Sequence, residues 1–374
     1  MSTSMKELQE NYWMVRKMGQ GAFGKVYLLR HRKSRKLHAA KHQPLDRGDQ
    51  KLLCRFTREV FILKKLVNEK RKHIVHFVGC FQGDARSVII MEYLQGGELF
   101  HQISSPNYKL AQLTCQTFAR QLLKALEFIH SRGIIHLDLK PGNIMLVERM
   151  DSTFGSINPS SEYLKIIDFG LARDLQGGEC IPHMRSGSLE FMAPEVEQKR
   201  FACVASDMWS IGVILYMMVS GGLAPFFFRS KERTIQAIKT RTFANEGFQN
   251  PGFTDVPISA TRCISRLLDL NPKTRYTASD CLKHQWLTSD YLDALENNVN
   301  TDELRKYLAR ARWYKYYNTI KAMNRMSKMG LIGSTDKDTK VNICTKENVK
   351  KIRDEVSHSF LDYLDSENNI SSNK

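Results

Sequence analysis

Apolar and polar positions alternate with a strand-like period over the first part of the chain. Residues 12 to 42 read as Tyr12 to Met18, a glycine-spaced stretch (Gly19-Gln20-Gly21-Ala22-Phe23-Gly24-Lys25-Val26), Tyr27-Leu28-Leu29, a basic turn from His31 to Lys36, and a strand from Leu37 to His42. The period then changes. Between Leu52 and Val67, the residues Phe56, Val60, Leu63 and Val67 recur at helical spacing, which predicts an amphipathic helix with those residues on its buried face. Val88 to Leu94 returns to strand and runs into the turn signal Gln95-Gly96-Gly97. Residues 110 to 131 predict a second amphipathic helix on Phe118, Leu122, Ala125, Leu126 and Ile129.

Two short apolar runs, Gly133-Ile134-Ile135 and Ile144-Met145-Leu146-Val147, bracket a polar segment, His136-Leu137-Asp138-Leu139-Lys140-Pro141-Gly142-Asn143. Strands on either side can fix such a loop while its polar tips stay free for ligands. Glu148 to Glu162, rich in Ser, Asn, Gly and Pro, reads as a surface loop, and Tyr163 to Ile167 as a strand ending in Asp168-Phe169-Gly170. Met208 to Phe228 is 21 residues without a charge, long enough to cross a membrane. Ser210, Gly212, Ser220, Gly221, Gly222 and Pro225 interrupt it and Asp207 stands at its start, so it is predicted as a buried helix ending at Gly221-Gly222, not a transmembrane segment. Helical segments continue to Trp286-Leu287.

Composition narrows the class. At 374 residues, with 42% hydrophobic and 25% charged residues, the chain can bury a sizeable core in two or three units. Its net charge of +17 favours acidic partners: nucleotides, acidic proteins or membrane surfaces. Zinc-finger spacing, an aromatic RNA-binding signature and repeats are all missing, so nucleic acid is not expected as a partner. The eight cysteines include no C-x-x-C pair, which suits a reducing cytosol, and Met1 to Glu7 lacks the apolar core of a signal peptide. A cytoplasmic protein is expected.

The polar segment supplies the chemistry. Asp138 can accept a proton from an attacking hydroxyl, Lys140 can neutralise a transferring phosphoryl group, and Asn143 can hold a metal ion. The segment resembles the catalytic loop of eukaryotic protein kinases, with Leu137 where that family usually carries Arg. Companions follow in the family's order. The G-x-G-x-x-G of Gly19, Gly21 and Gly24 continues into strand, not helix, which separates it from dinucleotide-binding folds. Lys41 ends Ala39-Ala40-Lys41, Glu59 lies in the first helix, Asp168-Phe169-Gly170 matches D-F-G, and Ala193-Pro194-Glu195 matches A-P-E with Arg275 as its buried partner.

The resemblance implies an α+β, two-lobed protein kinase fold, with a small antiparallel β lobe carrying one helix and a large, mainly α lobe. It implies a serine/threonine kinase using ATP and Mg2+. Residues 19 to 26 would cover the phosphates, Ala39 would line the site, Lys41 would orient the phosphates and Glu59 would hold Lys41. Met91 would back the pocket, backbone groups of Glu92 and Leu94 would meet adenine, and Glu98 would reach the ribose. Asn143 and Asp168 would hold magnesium. A pseudokinase scaffold usually lacks one of these residues, whereas all are present here.

Three departures bear on control and selectivity. Leu137 removes the cation that usually binds an activation-loop phosphate, Gly142 replaces a Glu that reads upstream Arg, and Ser186-Gly187-Ser188-Leu189-Glu190 departs from G-T-P-E. The His-Leu-Asp-Leu-Lys-Pro form resembles the myosin light chain kinase and death-associated kinase group. Residues 304 to 329 carry eight basic residues and no acidic one, with Trp313, Tyr317, Ile320 and Met326 close to one helical stripe. A basic helix with such anchors suits calmodulin's acidic, Met-lined lobes; a membrane-surface helix or one packed on the large lobe are the alternatives. The expected organisation is a small lobe over 12–94, a large lobe over 95–288, an autoinhibitory, calmodulin-binding segment over 289–330 and a polar tail over 331–374. Calcium/calmodulin is the expected regulator and myosin regulatory light chain the favoured protein substrate, with a death-associated-type kinase of broader targets as the alternative.

Overall fold

The computed structural model describes residues 3–21, 24–45, 49–67, 72–105, 110–149, 161–182, 187–198, 201–228, 230–288 and 299–311. The chain divides into two units, Met1–Asn300 and Thr301–Lys374.

In the first unit, the alternating stretch forms a six-stranded sheet. β1 (Thr3–Ser4) leads into helix α1 (Met5–Asn11), followed by β2 (Tyr12–Gly21), β3 (Gly24–His31) and β4 (Leu37–Pro44). Helix α2 (Gln50–Leu66) precedes β5 (Phe77–Gln82) and β6 (Arg86–Glu92). The order is β1-β5-β6-β4-β3-β2, antiparallel throughout except for the parallel β1–β5 pair. Residues 3–11, which no periodicity marks, cover the β5 edge. Ser4 accepts the Glu7 N–H to cap α1, and Leu8 packs with Leu29, Ala40, Phe81, Val88 and Ile90. Covering an edge strand removes unpaired N–H and C=O groups from solvent.

Asp49 starts α2 by accepting the N–H groups of Lys51 and Leu52, and Lys64 and Lys65 suit its C-terminal dipole. Phe56, Val60 and Leu63 are buried as the spacing predicts. Val67 is not. It is the C-cap, with extended backbone (φ −62°, ψ 117°), so its side chain leaves the helical repeat and is 45% exposed.

The helical part begins with β7 (Gly97–Glu98), α3 (Leu99–Ile103) and α4 (Gln112–Ser131). Short strands β8 (Ile134–Ile135), β9 (Ile144–Leu146), β10 (Leu164–Ile166), β11 (Arg173–Asp174) and β12 (Cys180–Pro182) follow. Then come α5 (Pro194–Gln198), β13 (Phe201–Cys203), α6 (Val204–Val219), α7 (Lys231–Thr240), α8 (Ile258–Leu267), α9 (Ala278–Leu282) and α10 (Gln285–Thr288). The apolar stripe of α4 is buried at all five predicted positions. Helix α6 is apolar on every side because it runs through the core: Trp209 stacks on Phe226 at 5.1 Å and Tyr216 lies 4.7 Å from Phe253. It stops where the glycines predict, Gly221 taking φ +72° and the Gly222 N–H closing on Met217 O at 2.7 Å. Among the described residues no helix is long and apolar enough to cross a membrane.

In the second unit, residues 302–311 are helical, with Arg305–Asp302 and Lys306–Glu303 pairs at i,i+3. Trp313, Tyr317, Ile320, Met326 and the 331–374 tail lie outside the described residues, as do Ala22 and Phe23.

Candidate active site

The β2–β3 hairpin carries the glycine stretch, pairing Gly19 with Val26, Gln20 with Lys25 and Gly21 with Gly24. At Gly24 a Cβ would lie 2.1 Å from His42 O, so only glycine allows β3 to approach β4 this closely. Val26 in turn pairs with Lys41, and Ala39 with Met91, which gathers these expected residues on neighbouring strands.

Lys41 is buried and donates to Glu59 Oε1 and Asp168 Oδ1, both at 2.6 Å. Burial works against its charge, but Glu59 and Asp168 outweigh that and raise its pKa. Asp168 mirrors it: burial pulls its pKa up, and Lys41 with the Gly170 N–H brings it below the ordinary value. A contribution absent from sequence reasoning is Gln43, whose Nε2 donates to Glu59 Oε2 at 2.7 Å.

The segment after β6 is fastened to the helical part. Gln95 and Gly96 N–H groups donate to Val147 O and Leu146 O. The Glu92 carboxylate turns to Lys165, at 2.8 and 3.0 Å, and accepts the His76 N–H. Glu98 is half-exposed, 3.6 Å from His101 Nε2, and a Cβ at Gly142 would lie 3.8 Å from its Oε2.

The polar loop hangs from Asp207 in α6. That carboxylate accepts the His136 N–H at 2.8 Å, the Leu137 N–H at 2.9 Å and His130 Nε2 at 3.0 Å. These bonds hold Leu137 at φ +66°, a left-handed conformation costly for any residue with a Cβ. Asp138 follows with one oxygen occupied and one free. Its Oδ2 receives Lys140 Nζ at 2.7 Å and Asn143 Nδ2 at 3.1 Å, while Oδ1 is buried without a hydrogen-bond partner. Asp138 lines a pocket together with Leu137, Gly187, Ser188, Phe191 and Met192. A carboxylate fixed through one oxygen and open through the other can accept a proton from a group seated there.

Asp168 holds φ +60°, and Phe169 is buried edge-on against the His136 ring at 4.9 Å. Glu195 and Arg275 form a buried bidentate pair, 2.8 and 2.9 Å, joined by the Ser206 hydroxyl. Near α2, Arg173 is drawn down to about pKa 10, by burial first and then by the charges of Arg58 and Arg55.

Lys41, Glu59, Asp138, Lys140, Asn143 and Asp168, expected as one constellation, form two hydrogen-bonded sets, Lys41–Glu59–Asp168 and Asp138–Lys140–Asn143, and the Ile167 N–H beside Asp168 donates to the Asn143 backbone carbonyl at 2.9 Å. The residues missed, Gln43 and the anchoring role of Asp207, act through those groups. For Gln43 the signal was a polar residue two positions after Lys41, on the same face of the strand.

This arrangement of strand lysine, helix glutamate and Asp-Lys-Asn loop defines a class. A family model described as "Protein kinase domain" matches residues 12–287, and the chain belongs to that family. Within the family it is similar to serine/threonine kinases of the myosin light chain kinase type. It is 33% identical to the chicken (Gallus gallus) smooth-muscle myosin light chain kinase over 87% of this chain and 16% of that one. It is also 33% identical to rat (Rattus norvegicus) myosin light chain kinase 3, over 83% of this chain and 37% of that one. It thus spans well under half the length of these relatives. Among solved structures it resembles the autoinhibited serine kinase domain of titin (29% identity, TM-score 0.67, 81% of this chain and 88% of that one). It also resembles the C. elegans twitchin kinase fragment, an autoregulated kinase with immunoglobulin domains (27%, TM-score 0.71, 83% and 65%).

Proposed function

We propose that the chain transfers the γ-phosphoryl group of ATP to serine or threonine in a protein, with Asp138 as catalytic base. The observation that carries this is the state of Asp138, a residue that lines a pocket: Oδ2 is tied by Lys140 and Asn143, and Oδ1 is buried and unpartnered. Oδ1 takes the proton of the incoming hydroxyl. Lys140, released from its bond to Asp138, offsets charge on the moving phosphoryl group. Lys41 orients the α- and β-phosphates and Glu59 holds Lys41. The glycine stretch from Gly19 to Val26 covers the phosphates, the Glu92 carbonyl and Leu94 backbone meet adenine beside Ala39 and Met91, and Glu98 reaches the ribose.

The donor set fits magnesium. Asn143 turns its NH2 to Asp138, so its carbonyl oxygen and the Asp168 carboxylate are the groups that would hold the ion, and hard oxygen donors are what Mg2+ takes. Bound there, Mg2+ would supply neutralisation of phosphate charge.

The proposed organisation is a small lobe over 12–94, a large lobe over 95–288, a regulatory segment over 289–330 and a polar tail over 331–374. In the resting state the regulatory segment occupies the substrate cleft, and calcium-loaded calmodulin binds it through Trp313, Tyr317, Ile320 and Met326. The basic charge of 304–329 and the autoinhibition named for the titin kinase support this reading. The favoured substrate is myosin regulatory light chain and the favoured location the cytoplasm, at the cytoskeleton, in keeping with the muscle kinases above.

The test compares phosphate transfer by the full chain, with and without calcium/calmodulin, by a truncation after Asn298 and by Asp138→Asn. Activity low at rest, raised by calmodulin and by truncation, and abolished in the variant is the expected result. Equal activity of the full chain in both states and of the truncation removes the switch. Activity retained by the variant removes the base. A peptide array varying upstream residues separates a light-chain-type preference from the broader targets of a death-associated type.

A further inference from the structure

We infer that Gln43 is a positioning residue that keeps Glu59 engaged with Lys41, so that the pair stands assembled without a phosphate on the activation loop. The inference rests on the reading of Lys41 given above. Lys41 and Gln43 are two apart on β4, so both side chains leave the same face of the sheet, the face on which Glu59 of α2 is buried. They divide its carboxylate: Lys41 Nζ takes Oε1 at 2.6 Å and Gln43 Nε2 takes Oε2 at 2.7 Å. An ionised carboxylate accepts only, so the amide must turn its NH2 toward Glu59.

The second bond matters because Lys41 is shared. Asp168 competes for the same ammonium at an equal 2.6 Å, so Lys41 alone does not hold Glu59 in place. Without Gln43, Glu59 Oε2 would be buried with no donor, and its least costly relief is to swing α2 outward toward water. A donor that moves with Lys41 on the same strand removes that relief. Leu137 has no charge with which to grip a phosphate, so the small lobe must fix α2 by other means, and Gln43 is placed to do so.

The test uses the full chain, activated as above, with ATP titrations at saturating peptide for wild type, Gln43→Leu, Gln43→Glu, Glu59→Gln and Gln43→Leu/Glu59→Gln. Losing one hydrogen bond to a charged group predicts a rise of roughly ten-fold in KM for ATP in Gln43→Leu. In the Glu59→Gln background the same change costs less than about two-fold, since the charge it served is gone. Gln43→Glu sets two carboxylates together, so its activity relative to wild type climbs as pH falls from about 8 to 6 and the pair takes up one proton. A purely structural role for Gln43 moves neither the cycle nor the pH profile. If Gln43→Leu does not fold, Gln43→Asn, one methylene too short to reach, takes its place. An unchanged KM, an equal cost in both backgrounds or a flat pH profile overturns the inference. Lys41→Met separates the two levels: full activity there fells the nucleotide reading itself, whereas an inactive Lys41→Met beside an intact Gln43→Leu fells only the role of Gln43.

Discussion

Asp207→Asn keeps the shape of a buried side chain and removes the charge that serves three donors: the N–H groups of His136 and Leu137 at 2.8 and 2.9 Å, and His130 at 3.0 Å. An amide offers one oxygen, and its NH2 must face one of those donors. At least one hydrogen bond to a charged acceptor is lost, worth about 1.5–3 kcal/mol, and a buried donor left unpaired adds about 1–3 kcal/mol. A total near 4 kcal/mol lowers the melting midpoint of a domain this size by about 8–12 °C. The same change loosens Asp138, and kcat should fall at least about ten-fold. The pH dependence has a definite sign. Burial opposes ionisation of Asp207, but the His130 bond, the charges of His130 and His136 and the His136 N–H outweigh it and hold the pKa below the ordinary value. The stabilisation is therefore fully present above the unfolded carboxylate pKa of about 3.9 and is lost as pH falls through the lower folded value. Calorimetry of both proteins across pH should show a constant gap from neutral pH to about 5 and a closing one below 4. An Asn variant with wild-type midpoint and kcat at pH 7, or a gap indifferent to acid, would refute the reasoning.

Arg275→Met strips Glu195 of both guanidinium bonds and leaves it buried with the Ser206 hydroxyl, a cost of about 3–5 kcal/mol. Pairing it with Glu195→Met should recover most of the melting midpoint lost in calorimetry. Gly96→Ala sets a methyl 2.3 Å from Glu148 O and 2.5 Å from Leu146 Cβ, so the segment after β6 must lift from β9. Overpacking of this kind costs about 1–3 kcal/mol, and an ATP titration should show KM raised by up to about ten-fold. Leu137→Arg, whose backbone stays bound to Asp207, should leave the unphosphorylated kcat within about two-fold of wild type in a steady-state assay.

Lys41, Asp138, Asn143 and Asp168 were legible because each sits in a short motif inside or next to a strand, with a glycine or proline within three residues. The helix carrying Glu59 was legible from its stripe of Phe56, Val60 and Leu63, and its end was not, because Val67 belongs to the cap. Groups that act at a distance left no local trace. Asp207 serves backbone atoms 70 and 71 positions earlier, and nothing about an acid at the start of an apolar run says which donors it meets. Gln43 looked like one polar residue in a strand until the helix was laid over it. The β1–α1 cover of the sheet edge depends on β5, more than seventy residues on, and periodicity within eleven residues cannot carry that.

Asp207 grips position 137 by its main chain alone. The conformation of the loop is thereby independent of which side chain stands there, and Arg or Leu meets the same left-handed penalty. A change of side chain at 137 leaves the main-chain bond to Asp207 available, so the backbone that presents Asp138 is set apart from whatever charge position 137 carries.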